Sequence, residues 1–312
     1  MQTPVNKNAS KEACELLNYL EEVSGKGIIT GQHTQTIPME EITYIKEVTG
    51  KEPKLRGFEM LAYSPNINYE DASEACLTEV YENRNTLAEA LKWGKETDGI
   101  VTFSFHWFSP IGGRDKAFYS EHTDFDPEQV LVEGTKEREA FYSDLSKIAE
   151  DLKPFKDAHI PVLWRPFHES DGTWFWWGRK GPKVAAELYK LVYHLFVETY
   201  ELDNLLWVWN CRLEEGYPGD EYVDIISVDV YLEKYYETDY KKEYEELINA
   251  TTKNKVAALA EIGYLPDIDM LEKSKIPFAY FMTWSKEFCI GEQYNSKVSM
   301  KKMYNSPYAI TL

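Results

Sequence analysis

Cysteine, cationic charge and long apolar runs are all scarce in this chain of 312 residues. The four cysteines, Cys14, Cys76, Cys211 and Cys289, are scattered, with no CxxC pair and no Cys/His cluster of the kind that holds zinc. No disulfide pairing follows from their spacing. Cys211 and Cys289 trail strand-like runs and read as small hydrophobes. No apolar run approaches the ~18 residues that a membrane span needs. Lys and Arg number 34 against 53 Asp and Glu, for a net charge of −19. That balance argues against nucleic acid or an anionic membrane as partner, since both reward cations. There is no low-complexity linker and no short-period repeat. The N-terminus, MQTPVNKNASKEA, lacks the apolar stretch of a signal peptide. The expectation is a secreted or cell-surface protein whose signal has been removed, with the cytosol as the other reading.

Aromatic residues, by contrast, are plentiful: 22 Tyr, 14 Phe and 9 Trp, or 14% of the chain. Such a surplus serves ligand clefts as well as core, because flat CH faces pack on sugar rings.

Strand-like and helix-like patterns alternate along the whole length. A helix opening at Asn8-Ala-Ser and running to Val23 precedes the first buried strand, Lys26–His33. Pro53–Leu61 is the second strand, followed by a helix over Cys76–Glu96, and Gly99–Trp107 is the third. A long polar loop, SPIGGRDKAFYSEHTDFDPEQVLVEG, and a helix over Glu137–Asp157 lead to the fourth, Pro161–Glu169. The remaining strands are Leu205–Asn210, Asp224–Tyr231, Val256–Gly263 and Phe278–Ser285, separated by further helical patterns. Eight short apolar strands alternating with helices imply a parallel sheet. Eight units in this length point to one (β/α)8 TIM barrel over residues 1–312, in the α/β class. No GxGxxG follows the first strand, which weakens an open dinucleotide-binding sheet.

Polar and aromatic residues gather at the C-terminal ends of these strands: His33, His106, Trp107, His168, Glu169, Asn210, Asp229, Tyr231, Glu261 and Trp284. Active sites of such barrels lie on that face. Side-chain alternation puts Arg165 and Glu169 on one face of the fourth strand, and Glu261 on one face with Ala257 and Leu259. The expectation is that these faces point into the barrel mouth, with Arg165 beneath, paired to a carboxylate and holding it ionised. Two strand-end glutamates, Glu169 and Glu261, are what glycoside cleavage requires: one carboxyl to protonate the leaving oxygen, one to attack or to activate water. Trp107, Trp174, Trp176, Trp177 and Trp284 read as stacking faces for sugar, Trp164, Trp207 and Trp209 as core. His106 and His168 are placed to orient a carboxylate or touch substrate. His33 reads equally as packing, and His122, His159 and His194 as surface.

Two other classes compete. A metal-dependent hydrolase would use His33, His106, His168 and Asp229, but no HxH pair marks the first strand and no HExxH occurs. A non-catalytic sugar-binding barrel would keep the aromatics without needing both glutamates.

The motifs WRPFHE with GTWFWWG, FSFHW, DVY, LAEIG, TWSKEF and the terminal YNSPYAITL resemble glycoside hydrolase family 26, the β-mannanase family. The likeness runs from GQH near residue 31 to the end. It implies a (β/α)8 barrel and retaining endo-hydrolysis of β-1,4-mannan, with no cofactor and no metal. It further implies Glu169 as acid/base and Glu261 as nucleophile. His106, His168, Trp174, Tyr231 and Trp284 fall on sugar-contacting positions, and Lys286 falls where the family places a basic residue at the next subsite. The family also holds β-1,3-1,4-glucanases and β-1,3-xylanases. The expected partner is a polysaccharide or oligosaccharide, bound by a monomer.

Overall fold

The structure is a computed structural model that describes residues 2–233 and 235–312. Eight parallel strands close on themselves. They are β1, in two pieces (Ile28–Ile29 and Gly31–Thr34), β2 (Leu55–Glu59), β3 (Ile100–Ser104), β4 (Val162–Trp164), β5 (Leu205–Asn210), β6 (Ile225–Val230), β7 (Val256–Ile262) and β8 (Phe278–Thr283). Each pairs with the next, and β8 returns to β1 through Ile29 against Tyr280 and Gln32 against Thr283. The Gln32 amide reinforces this seam by donating to the carbonyls of Thr283 and Trp284. A short ninth strand, Ala309–Ile310, pairs with β1 outside the barrel. The single (β/α)8 barrel expected from the alternating pattern is therefore present.

Alternation along the strands sorts two cores. On β5, Leu205, Trp207 and Trp209 pack outward with the helices, while Leu206 and Val208 face the barrel axis with Leu55, Ile100, Leu163 and Val256. The axial core has a plug. The first helix, Lys11–Val23, carries Ala13, Leu16, Leu17, Leu20 and Val23 at helical spacing, and these join the axial cluster. Ser10 caps that helix by accepting from the Ala13 N–H. One end of the barrel axis is thus filled with hydrocarbon, and Arg165, Asp229 and Glu261 gather at the other.

Several strands are shorter than expected, the third ending at Ser104 and not Trp107, and two differences are larger. The helix over 76–96 is two helices, Glu74–Asn83 and Thr86–Glu96, broken at Arg84–Asn85. The fourth strand stops at Trp164 instead of reaching Glu169, because the chain turns through Phe167 and Glu169, both at positive φ (56° and 51°). Left-handed backbone at non-glycine residues costs roughly 1–2 kcal/mol each. Packing must hold it in place.

Candidate active site

Arg165 stands at the centre of the polar end. It keeps the inward face of Leu163 and is fully buried. Its Nη1 donates to Oδ2 of Asp229 at 2.9 Å, and its Nη2 donates to Oγ of Ser104 at 2.9 Å and to Oε1 of Glu261. Asn210 fills the space alongside, donating to Oδ1 of Asp229 (2.8 Å) and Oγ of Ser227 (3.1 Å). Tyr231 donates its hydroxyl to Oε2 of Glu261 at 3.0 Å, so the ring is 41% exposed while its polar tip turns inward.

Glu261 reaches this centre by an irregularity. Val228 pairs with Leu259 and Asp229 with Glu261, so one step on β6 matches two on β7. Against β8 the same offset recurs, with Leu259 opposite Phe281 and Ile262 opposite Thr283. Ala260 is the extra residue of a β-bulge, which re-aims the side chains beyond it. Ala257 and Leu259 pack outward with the helices. Glu261 points inward because the bulge reverses the alternation, and the shared face expected for these three residues is corrected accordingly.

Glu169 arrives by a different route, from the loop after β4, so it does not share a strand face with Arg165. Its N–H donates to Oδ1 of Asn210 at 2.8 Å, and its Oε2 accepts from Trp174 Nε1 at 2.9 Å. The loop is pinned from within. Trp177 Nε1 donates to the His168 carbonyl (2.8 Å), Trp176 Nε1 donates to the Trp107 carbonyl (2.6 Å), and Phe167 packs among Trp107, Phe141 and Trp176. The loop after β3 clamps it from outside, through Ser120 N to Trp174 O and Trp176 N to Phe118 O.

These contacts revise the aromatic assignment. Trp176 and Trp177 are fully buried and Trp107 nearly so, with its indole N–H given to Asp144 at 3.0 Å. They are the loop's foundation and offer no face to a sugar. The lone indole of the run that reaches solvent is Trp174, 48% exposed. Trp164, Trp207 and Trp209 are core, as expected.

Two cavities flank the carboxylates. One, about 270 Å³, is lined by Glu169, Asp171, Trp174, Arg212, Asp229 and Tyr231 among others. The second, about 220 Å³, is lined by His33, Glu59, His106, Lys116, Trp284 and Lys286 among others. Trp284 stacks on His33 with ring centroids 3.9 Å apart. Lys286 reaches Glu82 at 3.3 Å, and its N–H donates to the buried Glu41. His168 is buried between His106, Phe175 and Trp177. The structure brings Glu169, Glu261, Arg165, His106, Trp174, Tyr231, Trp284 and Lys286 to one end of the barrel, with His168 just beneath; it removes Trp107.

Glu59 is the main residue that sequence reasoning passed over. It is the last residue of β2, the one strand not credited with a polar end, and it accepts from both the N–H and the ring of His106. The F-E-M run at a strand terminus was the available signal.

The electrostatics divide the acids. Burial, with the nearby charge of Asp229, pushes the Glu169 carboxyl up to about 7, opposed by the Trp174 hydrogen bond. The charge of Glu169 in turn adds to the rise at Glu261. Burial also raises Asp229, to about 7, and Glu261, while Arg165 pulls both back toward ionisation. Burial drives His33 down to about 3 and His168 well below its ordinary value. His106 goes the other way: burial lowers it, but Glu59 and then Glu261 and Glu169 outweigh that and raise it.

One oxygen each from Glu169, Asp229 and Glu261 lie within 4.8 Å of one another, the one acidic trio among the described residues grouped closely enough for a cation. Their oxygens already accept from Arg165, Asn210, Tyr231 and Trp174. A guanidinium thus occupies the place of a metal charge, and the donor set does not fit a resident cation.

Comparison with known proteins agrees with this geometry. The sequence matches the profile of glycosyl hydrolase family 26 over residues 5–312. It is 35% identical to a mannan endo-1,4-beta-mannosidase of Thermothelomyces thermophilus, covering 98% of this chain and 62% of that protein. It is 30% identical to mannan endo-1,4-beta-mannosidase A of Piromyces sp, covering 97% of this chain and 49% of that protein. The chain therefore spans between about half and under two thirds of these curated relatives. Among solved structures, a Podospora anserina beta-(1,4)-mannanase superposes with a TM-score of 0.88 at 33% identity, over 99% of this chain and 68% of that one. A beta-mannanase from a symbiotic protist of the termite Reticulitermes speratus, complexed with gluco-manno-oligosaccharide, gives 0.87 at 30%, over 99% and 96%. The matched profile, these identities and the shared barrel establish that the chain belongs to glycosyl hydrolase family 26.

Proposed function

We propose that this chain is an endo-acting β-mannanase, cleaving β-1,4-mannosidic bonds of mannan, glucomannan or galactomannan with retention of configuration. The observation that carries the reading is the approach of Glu169 and Glu261, with one oxygen of each within 4.8 Å of the other. Retaining glycosidases keep their two carboxyl groups about 5–5.5 Å apart, whereas inverting ones leave about 6.5–9.5 Å for a water.

In this mechanism Glu261 attacks the anomeric carbon while Glu169 gives its proton to the departing glycosidic oxygen. Arg165 and the Tyr231 hydroxyl aim Glu261 and stabilise its anion. Glu169 is fitted to the acid role because burial keeps its proton on near neutrality. Once Glu261 is esterified, Glu169 as carboxylate takes a proton from the water that releases the sugar. The cavities on either side of the pair support binding of chain to both sides of the cleaved bond. His106, Trp284 and Lys286 serve one side, with His168 packed beneath His106, and Trp174 and Tyr231 serve the other. A polymeric substrate suits a secreted or cell-surface protein, and one barrel acting as a monomer carries all the groups the reaction uses.

Names of relatives support mannan as substrate. The test is to incubate the protein with mannan, glucomannan, lichenan and β-1,3-xylan and to size the products. The expected result is internal cleavage of the first two, unaffected by a chelator. Release of reducing sugar from lichenan or xylan alone would overturn the substrate, and no release from any would overturn the enzyme reading.

A further inference from the structure

Glu59 has no part in the bond-making steps above, yet it is nearly fully buried at the mouth of the barrel. Its three hydrogen bonds go to the neighbouring loops. Oε1 accepts from His106 N at 2.8 Å and Leu61 N at 3.0 Å, and Oε2 lies 2.8 Å from His106 Nδ1. Its other histidine neighbour, His33, stands 4.0 Å away, beyond hydrogen-bond range, and neither nitrogen of that ring has a partner among the described residues. The carboxylate therefore serves one of the two rings.

We infer that Glu59 is a positioning residue for the proposed glycosidase reaction: it fixes His106 at both backbone and ring, and turns the positive end of that ion pair toward Glu169 and Glu261. This inference rests on the mannanase reading. The acidic centre explains why such a device is useful. Glu169, Asp229 and Glu261 share a buried space in which Arg165, paired with Asp229 and Glu261, is the one cation bonded to their side chains among the described residues. A second cation alongside favours ionised Glu261 before attack, and steadies Glu169 when it loses its proton.

The groups facing His106 are few. From β1 comes His33, from β2 Glu59, from the loop after β4 His168 and Glu169, and from β7 Glu261. Trp284, Phe118 and Phe175 complete the enclosure as apolar walls. Burial keeps His33 and His168 neutral, so His106 is the single imidazole of the three whose charge is supported.

Glu59→Gln keeps the shape and removes the charge. Without the His106 cation, both catalytic carboxyls bind protons more tightly, so both limbs of the kcat/KM profile on mannan move to higher pH. The expected shift is half a unit or more, with at least a tenfold loss at the old optimum. Glu59→Asp, charged but shorter, restores the limb positions and part of the rate. Side-chain NMR of the six histidines gives a readout independent of turnover. The ring assigned to His106 titrates at higher pH in the wild type than in Glu59→Gln. Unmoved limbs and an unmoved His106 titration in a folded Glu59→Gln protein would overturn the inference. A wild type that leaves mannan intact would instead overturn the mannanase reading, and the NMR titration would still decide whether Glu59 holds the His106 charge.

Discussion

Trp174 and Gly172 are built around each other. A β-carbon on Gly172 would lie 2.1 Å from the Trp174 ring, inside any permitted contact, so the indole rests on bare backbone. The same ring donates its N–H to Glu169, and the backbone carbonyl of Trp174 accepts from Ser120 N–H. A half-exposed ring seated on backbone, tied to a carboxylate and carried on an anchored chain is pre-organised before any ligand arrives.

Gly172→Ala should therefore displace the indole without unfolding the barrel. The expected result is at least a tenfold fall in kcat/KM on mannan. Stability should drop by no more than about 1 kcal/mol, since the displaced ring already stands half in water. Steady-state kinetics and a denaturant titration check the two halves separately.

Trp174→Phe keeps an aromatic face and removes the donor to Glu169. That hydrogen bond favours the ionised carboxyl, so its loss raises Glu169 above about 7. Activity that needs protonated Glu169 falls as pH rises through about 7 in the wild type, and the fall should begin at higher pH in the variant. A pH–rate profile of kcat/KM tests the direction.

Glu261→Ala should abolish turnover of mannan, and added azide should restore part of it with inverted stereochemistry at the anomeric carbon. Glu169→Ala should lose roughly 10²–10⁴-fold, the usual worth of a positioned general acid, on natural substrate. The loss should be far smaller in the first step with an aryl glycoside whose leaving group needs no proton. NMR of the first-formed product distinguishes the anomers.

Far from the cleft, burial raises Asp224 to about 6 from its ordinary 3.8. It accepts from Val5 N and Trp207 N. The folded protein thus holds this proton more tightly than the unfolded chain. Its stabilising contribution is complete below pH 3.8 and is lost as pH rises through about 6. Asp224→Asn, although less stable for want of an acceptor, should show a shallower fall in Tm between pH 4 and 7 than the wild type.

The barrel was legible in the chain because it depends on repetition: eight apolar runs, each short, each followed by helical spacing. Most of the centre was legible too, since Arg165, Tyr231 and Glu261 stand where a strand pattern ends. What escaped reading was decided by turns and by partners distant in sequence. Nothing in PVLWRPFHE signals that Phe167 and Glu169 take left-handed backbone, so the fourth strand looked longer than it is. GTWFWWG looks like four alike aromatics, but Asn210, His168 and the loop after β3 determine which one faces water. Glu59 ends a strand as plainly as Glu261 does. Its importance appears once β2 is laid beside β3 and His106 comes into reach.

The extra residue in β7 carries a last implication. The chemistry at Glu261 depends on the bulge as well as on the letters. Laid out as a regular strand, the same LAEIG would put Glu261 two steps from the outward Leu259 and turn the acid to the helices, leaving the cleft with Glu169 alone. A relative with both glutamates aligned could still be inert if its seventh strand kept this length and ran without the bulge. For this family, the pairing of Asp229 with Glu261 is the quantity to inspect before activity is inferred from matching letters.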